Sequence, residues 1–297
     1  MRKLFPRLFL TVPLLLLVAA AMLVAACGDD DDDDDSSDDG GATTAPAGDG
    51  IDISGVPELE DGMVTVGSDI AYPPIEYFEE GTDNAVGLDV DLLAALAEKL
   101  GVDYEFKQVA DFAAIVGDVK ASRYDIVMSA ISITNEREAE ITMIPYFGPA
   151  GTGVLVQAGN PEGIEAIEDL CGKAVGAQVG TIQVDYMEEF NENECADNPI
   201  DIKTFPDNPV SVQELTLGRI AAQLSDDPVA GYTAAQSDGE LDVAVTGFDS
   251  APYGMGLRKD STELKAVLEE ALAAIKADGT YDQILDDWGQ SDLALAD

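Results

Sequence analysis

The sequence predicts an α/β fold in two lobes, and three observations carry that prediction. Strand-like and helix-like segments alternate from Met63 onward, they form two successive arrays, and about 235 residues are available for them. In the first array residues 63–67 are a short apolar β run. Leu92, Leu93, Leu96 and Leu100 then recur at helical spacing behind Asp89, and Gly101 supplies the stop. Residues 102–106 alternate apolar and polar as a strand does. Asp111 is expected to cap a helix running to about Ser122, and residues 125–128 read as a buried strand. This β-α-β-α-β order is the pattern of an open sheet with helices on both faces.

The second array opens with a strand at 153–156 and a short helix at 165–170. A strand at 174–177 leads through Gly180-Thr181 into a helix ending near Glu192. Residues 200–205 are strand-like, 209–217 helical, and 241–245 strand-like. Near the C-terminus Asp260 is expected to cap a helix, with Glu263 at capping-box spacing and Gly279 as its end. A last amphipathic turn carries Tyr281, Ile284, Leu285 and Trp288.

Arg2, Lys3 and Arg7 precede an apolar stretch from Leu8 to Ala26, followed by Cys27. A basic start, an apolar middle and small residues before a cut point make a secretory signal. Its ending, Leu23-Val24-Ala25-Ala26-Cys27, resembles the lipobox of bacterial lipoproteins. That resemblance implies a signal peptide over 1–26 and a lipidated Cys27 that anchors the chain to the outer face of the membrane. An uncleaved N-terminal anchor is the alternative, and either way the rest of the chain lies outside the cytoplasm.

The net charge is −44; the leader holds three of the 15 basic residues and none of the 59 acidic ones, so its removal leaves −47. Such a surface excludes nucleic acid as a partner, because that needs a basic footprint. Seven consecutive Asp, 29–35, sit among Gly, Ser, Thr, Ala and Pro, so 27–60 is expected to be a disordered acidic tether. The Asp run is read as a solvated spacer rather than a calcium site, and no metal or cofactor is expected. The chain has no His, which excludes His-based triads and His-metal sites. With Cys27 set aside, Cys171 and Cys195 form an even pair in an oxidising compartment and are expected to bond.

Several blocks carry a family resemblance. They are residues 66–77 (VGSDIAYPPIEY), 87–92 (GLDVDL), 129–137 (SAISITNER), 176–181 (GAQVGT) and 218–230 (GRIAAQLSDDPVA). Together they span about 63–290 and resemble the polar-amino-acid-binding branch of the ABC-importer solute-binding proteins. The resemblance implies the type II periplasmic-binding-protein fold: two lobes, each a mostly parallel sheet flanked by helices, joined by two hinge crossovers. These fall near 151–154 and 247–250, giving lobe one as 61–152 plus 248–297 and lobe two as 153–247.

The same resemblance implies a ligand site. Tyr72 and Phe112 would cover the two faces of the ligand, Phe112 being otherwise ordinary core. Asp69 would reach the distal end of a basic or polar side chain, or else serve as a turn residue. Ser129, Ala130 and Ser132 would contact the head groups. Arg137 would clamp the α-carboxylate through paired N–H bonds; its competing role is an ion pair with Glu136 or Glu140. Gln178 and Thr181 lead into a helix N-terminus that favours the same carboxylate. Asp226 would accept from the α-ammonium, with Asp227 as a cap. Asp89 is read as structural, satisfying N–H groups at its helix start. The chain departs from the family at Ile182 and Ala221, where Thr or Ser and Asp are common. Glu76 and Gln183 add to a polar or acidic pocket.

The expected function is therefore capture of a free amino acid, basic or polar, by lobe closure, and delivery to ABC permease subunits by a monomeric binding protein rather than an enzyme. Two rivals are a ligand sensor of the same fold and a dehydratase-like enzyme, the latter weakened because only carboxylates are available as acids or bases.

Overall fold

The computed structural model describes residues 50–296. The leader, Cys27 and the Asp run lie outside the described residues. The segment 51–60, expected as the end of the tether, is instead part of the folded body. Val56 and Leu59 are buried in the main core, Ile51 and Ile53 pack against it, and Glu58 pairs with Arg258 at 2.6 Å. Four apolar side chains within nine residues give this stretch surface to bury.

The first half of the chain builds β1 (Met63–Ser68), β2 (Ala71–Tyr72), β3 (Glu76–Phe78), β4 (Ala85–Val86), α1 (Leu88–Leu100), β5 (Asp103–Gln108), α2 (Ile115–Lys120), β6 (Ile126–Val127) and α3 (Asn135–Glu140). The long β7 (Thr142–Gln157) leads to β8 (Ala174–Gln178), α4 (Ile182–Asn193), β9 (Asp201–Phe205), α5 (Asn208–Thr216), β10 (Ala222–Asp226) and α6 (Asp227–Gln236). The long β11 (Leu241–Leu257) returns to α7 (Thr262–Asp278) and α8 (Thr280–Asp287).

Eight strands form one sheet in the order β5-β1-β6-β11-β7-β10-β8-β9. β1 is parallel to β5 and β6, and β8 is parallel to β9 and β10. β7 and β11 are antiparallel to each other and run through both ends, with five register shifts along their ladder. The parallel strands therefore segregate into two lobes, and the β7–β11 ribbon is the twofold connection between them. The expected crossovers lie side by side in it, Thr152 opposite Phe248. Gly151 is required here, because a Cβ would lie 2.6 Å from Asp227 Oδ2 and 2.9 Å from the Gly247 Cα.

Both long strands exceed expectation, which began β7 at Gly153 and ended β11 at Val245. Pro145 and Pro149 make residues 142–152 look like a loop. Up to Gly151, however, β7 pairs with β11 alone, and only Thr152–Leu155 also pair with β10. A proline on an edge removes no ladder bond. β10 has no counterpart in the sequence reading. Its Gln223 and Ser225 look like loop residues, yet Gln223 is buried with its amide bonded to Asn208 Oδ1 and the Leu224 carbonyl.

Lobe one holds the larger core. Leu92, Leu93 and Leu96 of α1 are fully buried in it with Leu264, Leu268 and Ile275 of α7. Each such side chain contributes roughly 2 kcal/mol by leaving water. Gly101 ends α1 at φ 67°, as expected. Lobe two has a separate core around Val154, Val175, Met187 and Leu224. Cys171 and Cys195 form a disulfide at its edge with a Cα–Cα separation of 5.4 Å.

Three capping expectations fail. The N-cap of α7 is Ser261, whose hydroxyl donates to Glu58, while Asp260 faces Arg258 at 3.4 Å and is largely exposed. Asp227 is the first residue of α6, and its Oδ2 accepts from the Gly247 N–H at 2.9 Å, tying α6 to the hinge. Asp89 does not cap α1; its Oδ2 accepts from the Ala130 N–H and the Tyr146 hydroxyl. For Asp227 and Asp89 a long-range partner replaces the local N–H groups, whereas Asp260 stays exposed beside its near neighbour Arg258.

Candidate functional site

The C-terminal ends of β1, β6, β8 and β10 converge between the lobes, the position where open α/β sheets bind ligands. All ten residues singled out from the sequence line one pocket there: Asp69, Tyr72, Phe112, Ser129, Ala130 and Ser132, with Arg137, Gln178, Thr181 and Asp226. Glu76, Ile182 and Gln183 complete the lining.

Arg137 sits on α3, whose N-cap Thr134 accepts from the Arg137 N–H. Its Nη1 donates to the Ser132 carbonyl at 2.7 Å and its Nη2 to the Gly180 carbonyl at 3.0 Å, across the cleft. The guanidinium lies 5.8 Å from the Phe112 ring centroid, so Phe112 is core on one side and a wall of the pocket on the other. The expected competitor Glu140 pairs with Lys120 instead. Burial holds the Arg137 guanidinium below its ordinary pKa, partly offset by Asp185 and Asp226. Two carbonyls engage two of its five N–H groups, which leaves donors for a carboxylate.

The carboxyl groups are arranged opposite. Asp226, buried at the end of β10, accepts from Gln183 Nε2 and the Tyr253 hydroxyl, both at 2.7 Å. Its own N–H donates to the Tyr72 hydroxyl at 3.0 Å. Loss of water raises its pKa to about 6, against the lowering effect of these bonds. Asp69 accepts from Gln108 Nε2 at 2.8 Å and from Gln178 Nε2 at 2.5 Å, and burial raises its pKa too. Glu76 has no exposed surface; its Oε1 accepts from Ser129 Oγ at 2.7 Å. Burial, reinforced by the nearby Asp89 carboxyl, pushes Glu76 well above the usual carboxylate range.

Ser129 is thus committed to protein partners, since its Oγ also accepts from the Asp69 N–H at 2.9 Å. Ala130 takes a left-handed φ of 44°, and its N–H is held by Asp89 at 3.1 Å. Thr181 occupies the N-cap of α4, but its hydroxyl donates to the Gln178 carbonyl at 2.8 Å rather than capping. The start of α4 therefore faces the pocket with its own positive dipole end.

Residues 64–291 match the family described as bacterial extracellular solute-binding proteins, family 3. The chain belongs to that family. This solute-binding protein is 29% identical over 235 residues to the L-cystine-binding protein TcyJ of Escherichia coli K12, covering 79% of this chain and 85% of the relative. It is 30% identical over 228 residues to the histidine-binding periplasmic protein of the same strain, covering 74% and 85%. Among solved structures, an ancestral arginine-binding protein bound to arginine superposes with a TM-score of 0.70 at 34% identity, covering 76% and 98%. The solute-binding protein accordingly has the type II periplasmic-binding-protein fold and works outside the cytoplasm.

Sequence reasoning missed three side chains that shape this site. Tyr253 and Tyr146 reach it from the long strands, and Gln108 fixes Asp69 from the end of β5. None sits in a block that signals a ligand site, and each is 27 or more positions from the residue it holds.

Proposed function

We propose that the protein captures a free amino acid, with a basic side chain preferred over a neutral polar one, and delivers it to the permease of an ABC importer. One observation carries this reading: a half-buried guanidinium, Arg137, faces three buried carboxyl groups, Asp226, Asp69 and Glu76, in one small pocket. A zwitterion uses one charge of each sign, its carboxylate on Arg137 and the start of α4 and its ammonium on Asp226. The remaining acids suit a cation at the far end of the ligand. Tyr72 and Phe112 flank the space between. The relatives that bind histidine and arginine support the same assignment. Lobe two spans about 153–247, and the tether ends near residue 50. Cys27 carries a lipid that anchors it to the outer membrane face.

The test is a melting-shift and calorimetric screen of the leaderless protein against arginine, lysine, ornithine, histidine, glutamine, cystine and glutamate. At a hundred times the dissociation constant a ligand stabilises by about 2.7 kcal/mol. Basic amino acids are expected to bind at low micromolar or tighter, near −8 kcal/mol, glutamine more weakly, and glutamate not at all. Preference for glutamate, or no response to any amino acid, overturns the reading.

A further inference from the structure

The reading above leaves two buried acids without a role for their second oxygens. Glu76 and Asp89 are both fully buried, and Glu76 lines the pocket. Glu76 Oε1 is bonded to Ser129, and Asp89 Oδ2 to Ala130 and Tyr146. Glu76 Oε2 and Asp89 Oδ1 have no partner. The two carboxyl groups stand within hydrogen-bonding reach of each other.

Two ionised carboxylates have only acceptors to offer each other, whereas a proton between them supplies the missing donor to both. The surroundings favour that proton. The charged groups acting on Glu76 are Asp89 from α1, Asp69 from the loop after β1 and Asp226 from the end of β10, all acids. Tyr72 of β2 and Tyr146 of β7 also face it, and the Tyr253 ring of β11 lies tilted beside that of Tyr146, with centroids 6.3 Å apart. The pocket's cation, Arg137, is engaged by the Ser132 and Gly180 carbonyls.

We propose that Glu76 and Asp89 share one proton, and that this makes Glu76 the residue that senses the charge of the ligand's side chain. This rests on the amino-acid reading of the pocket. A cationic side chain seated beside Glu76 replaces the proton, which leaves to solvent; one positive charge enters as one departs. A neutral side chain leaves the proton in place. Burial raises the Asp89 carboxyl to about 7 and Glu76 well above its usual range, which agrees with one proton retained near neutral pH. The pair also reaches the backbone of the site. Asp89 holds the left-handed Ala130, a conformation that an ordinary L-residue adopts only at a cost.

The experiment is calorimetry at pH 7.5 with arginine and with glutamine, each in two buffers of different ionisation enthalpy, so that proton release is counted. Asp226, which titrates near 6, contributes alike to both ligands. Arginine is expected to release more protons than glutamine from the wild type. Glu76→Gln should reduce the arginine count to the glutamine value and weaken arginine about tenfold, one unit of differential charge interaction. Asp89→Asn, which supplies the donor from the other side, should also remove the extra proton. Equal counts for arginine in wild type and Glu76→Gln overturn the proposal.

A ligand-free measurement decides the shared proton separately. Folded pKa values raised above the unfolded ones mean that the native state binds extra protons, so stability falls as pH rises from 5 to 8. Glu76→Gln should flatten that fall. If no amino acid binds, the functional reading and the charge sensing fail together, and the slope still supports or rejects the shared proton. An unchanged slope rejects it.

Discussion

The two walls of the pocket are held in different ways. On the lobe-one wall each acid is fixed by neighbours in its own lobe: Asp69 by Gln108, Glu76 by Ser129, Asp89 by Tyr146 and the Ala130 N–H. On the lobe-two wall the key groups are completed across the cleft. Asp226 takes Tyr253 from the large lobe-one core and gives its N–H to Tyr72, while the Gly180 carbonyl takes Arg137 and Gln178 reaches Asp69. Lobe one therefore presents a half-site held largely from within, whereas lobe two, although Gln183 holds Asp226 from its own side, takes further partners across the cleft. A ligand shifts that closure by its extra contacts in the closed state and no others.

The largest effect that breaks this comparison is at Arg137. It is the lobe-one cation and also a cross-cleft donor, so Arg137→Ala should cost about 3 kcal/mol in binding, or more than a hundredfold. Arg137→Lys should recover only part, because an ammonium cannot donate the paired planar bonds. Calorimetry on both variants checks this. Retention of affinity within tenfold in the Ala variant would mean that the carboxylate docks elsewhere.

Next in size is the disulfide, which staples only lobe two. Replacing Cys171 and Cys195 with Ser releases a loop with a sequence separation of 24. The expected loss is about 3 kcal/mol in unfolding free energy, read by urea denaturation. Affinity should change little, since lobe one holds its half-site largely from within. A large affinity loss with small stability loss would show that the staple shapes the start of α4 instead.

The same contrast explains what the sequence disclosed. The ten site residues named from the sequence border one pocket together with Glu76, Ile182 and Gln183, and they lie largely at strand ends and helix starts, where short blocks carry turn chemistry. The fold was legible where apolar spacing was regular, as in α1. It was obscured in β7 by Pro145 and Pro149, which an edge tolerates, and in β10 by buried polar residues whose partners are distant. Asp89 was misread for the same reason. Its place near a helix start invites capping, whereas its partners Ala130 and Tyr146 are 41 and 57 positions away.

A third effect sharpens the lobe-two side through pH. Asp226 carries a folded-state pKa of about 6, raised by burial. As pH falls through 6 it gains a proton and loses its attraction for an ammonium, so affinity should drop toward tenfold per unit. The ligand-free protein should respond in the opposite direction. A raised folded pKa stabilises the native state below the unfolded value near 3.9, and this contribution is lost as pH rises through 6. Asp226→Asn should bind weakly with the acid-limb dependence removed, and binding titrations from pH 5 to 8 test both signs.

The smallest effect isolates closure from ligand contact. Tyr72 accepts the Asp226 N–H through its hydroxyl while its ring lines the pocket. Tyr72→Phe keeps the ring and removes one cross-cleft hydrogen bond worth about 1 kcal/mol. Affinity should fall roughly fivefold, chiefly through faster dissociation, because the open state loses nothing. Trp288, the only tryptophan in the chain, sits edge-on to Tyr77, which in turn faces Tyr232 on α6 of the other lobe. Its emission is thus a natural reporter of closure in stopped flow. An unchanged dissociation rate with slower association would place the Tyr72 hydroxyl in the half-site of lobe one, and the division of labour between the walls would have to be redrawn.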